Sequence, residues 1–247
     1  MRLQLMSWPE VEQYLKRSVG VILPVGATEQ HGPTGVIGTD SLCAETLAWR
    51  AGELADAVVG PTLTVGMSEH HMAFPGSITL RPTTLVAVVH DVVLSLARHG
   101  FRRLFIVNGH GGNTASLDAA MFEVYTDAPR VVEGGHDVRC LAAKWWETPA
   151  AERLSRELFG DRDGDHASAS EVSIAMAAQP EHVKQGNIDP EVAPTGRLFG
   201  PVDFRKRYPD GRMGSHPELA SIEVGERLIE AVAADLADAY QNFLDEA

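Results

Sequence analysis

Cysteine is scarce in this 247-residue sequence, and the two present, Cys43 and Cys140, form neither a CxxC pair nor a disulfide framework. Both are expected to be buried free thiols. Basic residues are also short, 21 Lys and Arg against 34 Asp and Glu, which leaves a formal net charge of −13. A surface of that sign repels phosphate backbones and anionic lipid, so neither nucleic acid nor a membrane is expected as a partner. Runs approaching the ~20 apolar residues of a spanning helix are missing. The first fifteen residues, broken up by Pro9, Glu10 and Glu12, do not form the apolar core of a signal peptide. A cytoplasmic protein is the resulting expectation. Repeats and low-complexity segments are lacking too.

What is present is ordinary globular material, 44% hydrophobic and 22% charged, enough to bury a sizeable core. The length suits one α/β domain over residues 1–247. Residues 19–25 form an apolar, β-branched run ending at Gly26, the pattern of a buried parallel strand. Asp40 is placed to cap a helix over residues 41–54. A second strand is expected over 57–65. Helical spacing from Thr83 stops at Gly100, and a third strand over 103–107 runs into Asn108-Gly109-His110-Gly111-Gly112-Asn113. A helix over 114–125, a strand over 138–143 and helices over 168–178 and 217–244 follow. This rhythm predicts a layered α/β fold with a mostly parallel sheet flanked by helices. Residues 185–217, rich in Pro and Gly, are too long for a simple connector, so a functional or subunit-contacting loop is expected there.

Metal-type residues gather just after the predicted strands: Glu29, His31 and Asp40 after the first, His70 and His71 after the second, His110 after the third. In a parallel sheet these strand ends share one edge, where ligands usually bind. Imidazoles with carboxylates suit Zn²⁺, Mn²⁺ or Fe²⁺, and a carboxylate such as Asp40 can bridge two cations ~3.5–4 Å apart. Each residue also has a plain reading. His31 can be a loop histidine, Asp40 only a cap, and Glu171 an ordinary helix carboxylate. His110 can belong to a phosphate loop, although no Gly-Lys-Ser/Thr follows. His70, His90, His99 and His182 read as structural or solvated.

The segment Leu23-Pro24-Val25-Gly26-Ala27-Thr28-Glu29-Gln30-His31-Gly32-Pro33, with Gly38-Thr39-Asp40, resembles the first metal motif of the creatininase (creatinine amidohydrolase) family. The resemblance continues through His71-Met72-Ala73-Phe74-Pro75-Gly76-Ser77 and residues 108–113. It then takes in Asp165-His166-Ala167-Ser168-Ala169-Ser170-Glu171-Val172-Ser173 and Gly214-Ser215-His216-Pro217. It implies a creatininase-like fold, a homo-oligomer, by family habit a hexamer, and two divalent metal ions per chain (Zn, Mn or Fe). Glu29, Asp40 and His110 would hold one ion and His31, Asp40 and Glu171 the other. Where creatininase itself has a metal-binding glutamate two positions after the histidine, this chain has Gly112. In relatives with that glycine a later glutamate takes over, and Glu171 matches it.

His166 matches the family's catalytic histidine, and Asp165 is expected to orient it. The implied reaction is attack of a metal-bridging hydroxide on an amide carbonyl, with His166 passing a proton to the leaving nitrogen. Candidate substrate contacts are His71, Trp145, Trp146 and Arg162. The last stands where creatininase has a ring-closing tryptophan, and would favour an anionic group over creatinine. The substrate is thus expected to be a small molecule with a cyclic amide, formamide or other non-protein C–N amide bond. A non-catalytic metal-binding scaffold and a peptide-trimming relative are the alternatives.

Overall fold

A computed structural model of the chain describes residues 1–246. After a helix α1 (Trp8–Leu15), strand β1 (Gly20–Val25) enters the centre of the molecule, every residue of it buried. Helix α2 (Thr39–Leu54), strand β2 (Val58–Val59), helix α3 (Pro82–Arg98), strand β3 (Arg103–Asn108) and helix α4 (Thr114–Val131) follow. Strand β4 (Arg139–Lys144), α5 (Pro149–Leu158), α6 (Ala169–Ala178), α7 (Pro201–Arg207) and α8 (Ile222–Asp245) complete the order. The four strands form one sheet in the order β2-β1-β3-β4, and every pairing is parallel.

Alternation along β1 and β3 explains the layers. Val21, Leu23, Val25, Leu104 and Ile106 face one side and pack against Leu85, Val89 and Val93 of α3 and Leu117, Ala120 and Val124 of α4. Ile22, Phe105 and Val107 face the other and meet Leu47 and Ala51 of α2, Leu154 of α5, Ile174 of α6 and Leu228, Val232 and Leu236 of α8. Full burial of each such aliphatic side chain contributes about 1.5–3 kcal/mol, so both helical layers are tied firmly to the sheet. Cys43 and Cys140 are free and buried, as expected. Among the described residues, no helix is long and apolar enough to cross a membrane.

Some expectations are corrected. The second strand shrinks to Val58–Val59, because Gly60 and Leu63 donate to Ile22 O and Pro24 O, so the chain carries one residue more than β1 over that stretch and loses register; it rejoins β1 at a bridge between Val25 and Leu63. Helix α4 runs on to Val131, with Pro129 accommodated in its last turn. Helix α8 begins at Ile222, where Ser221 accepts a hydrogen bond from Val224 N–H at 3.2 Å. Asp40 is not a cap: the cap is Gly38, and Asp40 lies inside the first turn of α2 with its carboxylate turned away. Helices α1, α5 and α7 were not expected.

Candidate metal centre

In register, Val25 of β1 lies beside Asn108 of β3, and Asn108 beside Lys144 of β4. The chain leaves β1 toward β2 on one side and β3 toward β4 on the other, so a crevice opens where the order reverses. Two glycines bring a helix into it. A Cβ on Gly26 would strike the backbone of Ser41, and a Cβ on Gly109 would strike the carbonyl oxygen of Asp40. Only bare backbone lets the first turn of α2 sit against both strand ends. Asn108 and Asn113 stiffen the neighbouring loop. Asn108 Oδ1 accepts from His110 N–H at 3.0 Å, while Asn113 donates to Gly26 O at 3.0 Å and accepts from Met67 N–H at 3.0 Å.

The Asp40 carboxylate therefore stands between two imidazoles. Its Oδ1 lies 3.0 Å from His31 Nε2 and its Oδ2 lies 3.2 Å from His110 Nδ1. Beyond His110, Glu29 Oε2 is 3.2 Å from Nε2; beyond His31, Glu171 Oε1 is 3.8 Å from Nε2. Each imidazole has its other nitrogen at a backbone carbonyl, His31 Nδ1 at Glu29 O (3.1 Å) and His110 Nε2 at Met67 O (2.9 Å). That arrangement turns His31 Nε2 and His110 Nδ1 inward, as in metal-ligating histidines. Both oxygens of Glu29 and Oδ2 of Asp40 are buried without a hydrogen bond. Buried carboxylate oxygens left this way are costly unless a cation joins them. Ligand atoms of Glu29, His31 and Asp40 lie within 4.8 Å of one another, as do those of His31, His166 and Glu171. The donor set fits divalent cations.

Electrostatics agree. Burial opposes charge on His31 and His110, but Asp40 and Glu171 raise the first to about 10, and Glu29 and Asp40 raise the second to about 9. Burial would push Asp40 up, yet the two imidazoles hold it below the carboxylate range. Burial raises Glu171 to about 7. In the metal-free protein the imidazolium protons thus take the place of cations.

His166 reaches the same cluster from another direction. Ala167 beside it has φ 54°, a left-handed conformation that costs an alanine about 1–2 kcal/mol. The turn carries the chain from the backbone bridge between His166 and Met213 into α6. There Ser168 and Glu171 form a capping box: Ser168 N–H donates to Glu171 Oε1 at 2.6 Å, and Glu171 N–H to Ser168 Oγ at 3.2 Å. His166 Nδ1 lies 3.7 Å from Glu29 Oε1. Burial, then His71 and His31, keep the ring well below its ordinary pKa, so it is neutral.

The remaining expected residues divide. Asp165 is exposed and does not orient His166; the ring is held by Gln30 instead, with Nε2 2.8 Å from Gln30 O. Trp145 and Trp146 line a cleft of about 250 Å³ with Asp40, His110, His166 and Glu171. His71 is buried beside Glu29, its Nε2 3.0 Å from Oε1. Arg162 is exposed and is not among the residues lining that cleft. Two residues hold places that the sequence did not assign them, His70, which reads there as structural or solvated, and Gln30. His70 sits with its ring 6.1 Å from that of His110, and its ligating atom falls within 4.8 Å of those of Glu29 and His110. Gln30 touches His71 and His166 together; its place between Glu29 and His31 was the available signal. The 185–217 segment supplies α7, whose Phe204 packs edge-on against His71 at 4.7 Å.

The family model for creatininase, described as creatinine amidohydrolase, matches residues 4–240. A creatinine amidohydrolase of Pseudomonas putida is 31% identical over 95% of this chain and 94% of its own length. A mycofactocin precursor peptide peptidase of Mycolicibacterium smegmatis is 37% identical over 88% of this chain and 83% of its own. A solved manganese creatininase superposes with a TM-score of 0.86 at 27% identity, covering 99% of both chains.

Proposed function

The chain belongs to the creatininase family of hydrolases, and from that premise we propose that it is a metal-dependent amidohydrolase with a two-ion centre. The observation that carries this reading is Asp40, whose two oxygens face His31 and His110 separately. Glu29, Asp40 and His110 would hold one ion, and His31, Asp40 and Glu171 the other. Zn²⁺, Mn²⁺ and Fe²⁺ suit these donors. When bound, such ions supply Lewis acidity and water acidified toward neutrality.

The protein's own part follows from His166. Neutral and facing the carboxylates, it takes a proton from the attacking water as the oxygen adds to the amide carbonyl carbon. It returns that proton to the nitrogen as the C–N bond breaks, so the amine leaves neutral. Trp146 offers apolar surface to the cleft, while Trp145 is buried in the core. Asp163 and Asp165 line it too, and with Arg162 outside, the cleft supports a neutral or cationic amide better than an anionic one. The substrate class is a cyclic amide, formamide or other non-protein C–N amide. Peptide trimming is the second reading. A further cavity, lined by Met67, Leu198 and Phe199, also reaches His110 and His166, and supports a substrate longer than a single small ring. The enzyme is proposed to be a cytoplasmic homo-oligomer.

Elemental analysis after loading with Zn²⁺ or Mn²⁺ and desalting should find about two ions per chain. The loaded protein should then hydrolyse a member of a lactam, formamide and peptide panel. Firmly bound metal with silence across all three would leave a scaffold and sink the enzyme reading.

A further inference from the structure

Gln30 stands inside a closed set of polar contacts. Its side-chain nitrogen lies 2.8 Å from His71 Nδ1, 2.9 Å from His166 Nε2 and 3.0 Å from Gly211 O. Its side-chain oxygen accepts from Gly32 N–H at 2.8 Å. Neither ring is needed to fix which way the amide points. Gly32 N–H only donates and Gly211 O only accepts, so the opposite orientation would oppose donor to donor and acceptor to acceptor.

Counting hydrogens then settles both rings. One amide hydrogen goes to Gly211 O. His166 Nε2 faces the Gln30 backbone oxygen at 2.8 Å, an acceptor, so Nε2 carries its own proton. The second amide hydrogen therefore goes to His71 Nδ1, which must be bare. The 2.9 Å approach of Gln30 to His166 is a packing contact between two donors. Both imidazoles end with the proton on Nε2 and the lone pair on Nδ1. The turn presenting Gly211 is itself braced by Arg212, fully buried, whose Nε meets Asp210 Oδ2 at 2.6 Å and whose Nη1 donates to Ser215 O at 3.0 Å.

We propose that Gln30 is a positioning residue of the reaction: its side-chain amide, locked between Gly32 and Gly211, donates to His71 Nδ1 and holds that ring in one tautomer, while its backbone oxygen accepts from His166 Nε2 and keeps the bare Nδ1 of His166 turned toward Glu29. This rests on the amidohydrolase reading, so the first readout does not depend on turnover. Solid-state NMR of full-length protein labelled with ¹⁵N-histidine, with the two rings assigned through His71→Ala and His166→Ala, should show both His71 and His166 protonated at Nε2 alone. A proton on Nδ1 in the wild type would overturn the proposal whatever the variants do. Gln30→Met keeps length without hydrogen bonds. It should let His71 take the Nδ1-protonated form while His166, held by the backbone oxygen, stays protonated at Nε2, and lower kcat about 10- to 100-fold, with KM and metal content held. Gln30→Ala should be no worse. If Gln30→Met keeps the wild-type spectrum and rate while only Gln30→Ala fails, the side chain merely fills space and the proposal falls. A wild type inactive on every amide would remove the amidohydrolase reading, while the spectra would still decide the tautomers.

Discussion

Gly109 and Asp40 touch backbone to backbone: a Cβ on the glycine would overlap the carbonyl oxygen of the aspartate. The contact joins the end of β3 to the first turn of α2, and so fixes where the Asp40 carboxylate stands. Gly109→Ala should force the two apart, destabilise the fold by about 1–3 kcal/mol as other overpacked sites do, and lower metal content. A calorimetric scan beside elemental analysis checks both. A variant with wild-type Tm and metal would show that the approach is not needed.

Asp40→Ala should abolish binding of both ions rather than one, because each proposed set uses one of its oxygens. Elemental analysis of the loaded variant decides this. Retention of one ion would confine Asp40 to a single set.

Stability of the metal-free protein should depend on pH with a definite sign. His31 and His110 are raised to about 10 and about 9, above their unfolded value of about 6.5. Their contribution is complete below that value and is lost as pH rises through 9 and 10. His71 and His166 are shifted the other way, by burial first, so they favour the fold above about 6.5 and oppose it below. Tm should peak near neutrality and fall on both sides, and metal loading near pH 7 should release protons into the buffer. Titration calorimetry in two buffers of different ionisation enthalpy measures that release; identical heats would contradict it.

His166→Ala should keep its metal while kcat falls by roughly 10²–10⁴, the usual loss for an acid–base group. Full activity in the variant would take His166 out of the reaction.

Glu171 has two roles that one substitution separates. Gln at this position still accepts from Ser168 N–H and completes the capping box, but it carries no charge. Glu171→Gln should hold Tm close to wild type and lose one ion. Loss of stability with unchanged metal would make Glu171 a cap alone.

Much of the fold is legible in the chain because strand and helix periodicity are local. The burial of β1, the glycine stops after β1 and β3 and the spacing of α3 and α8 all follow from short-range sterics and apolar pattern. The capping box of α6 is equally visible, as Ser168 followed three residues later by Glu171. Where expectation failed, a nearby element had intervened. One residue more between Gly60 and Leu63 than between Ile22 and Pro24 of β1 cut β2 short, and the backbone fit of Gly26 and Gly109 drew Asp40 off the cap position into the crevice.

The sequence by itself determined which chemistry was available: carboxylates and imidazoles following parallel strands, which topology must gather on one edge. Tertiary structure alone decided who faces whom. Gln30 rather than Asp165 holds His166, and His70 joins the cluster while Arg162 stays outside. Those facts depend on side-chain direction and on contacts between separate segments, as from Gln30 to His166. Local pattern carries no information about such pairings, because their partners meet only after the layers pack.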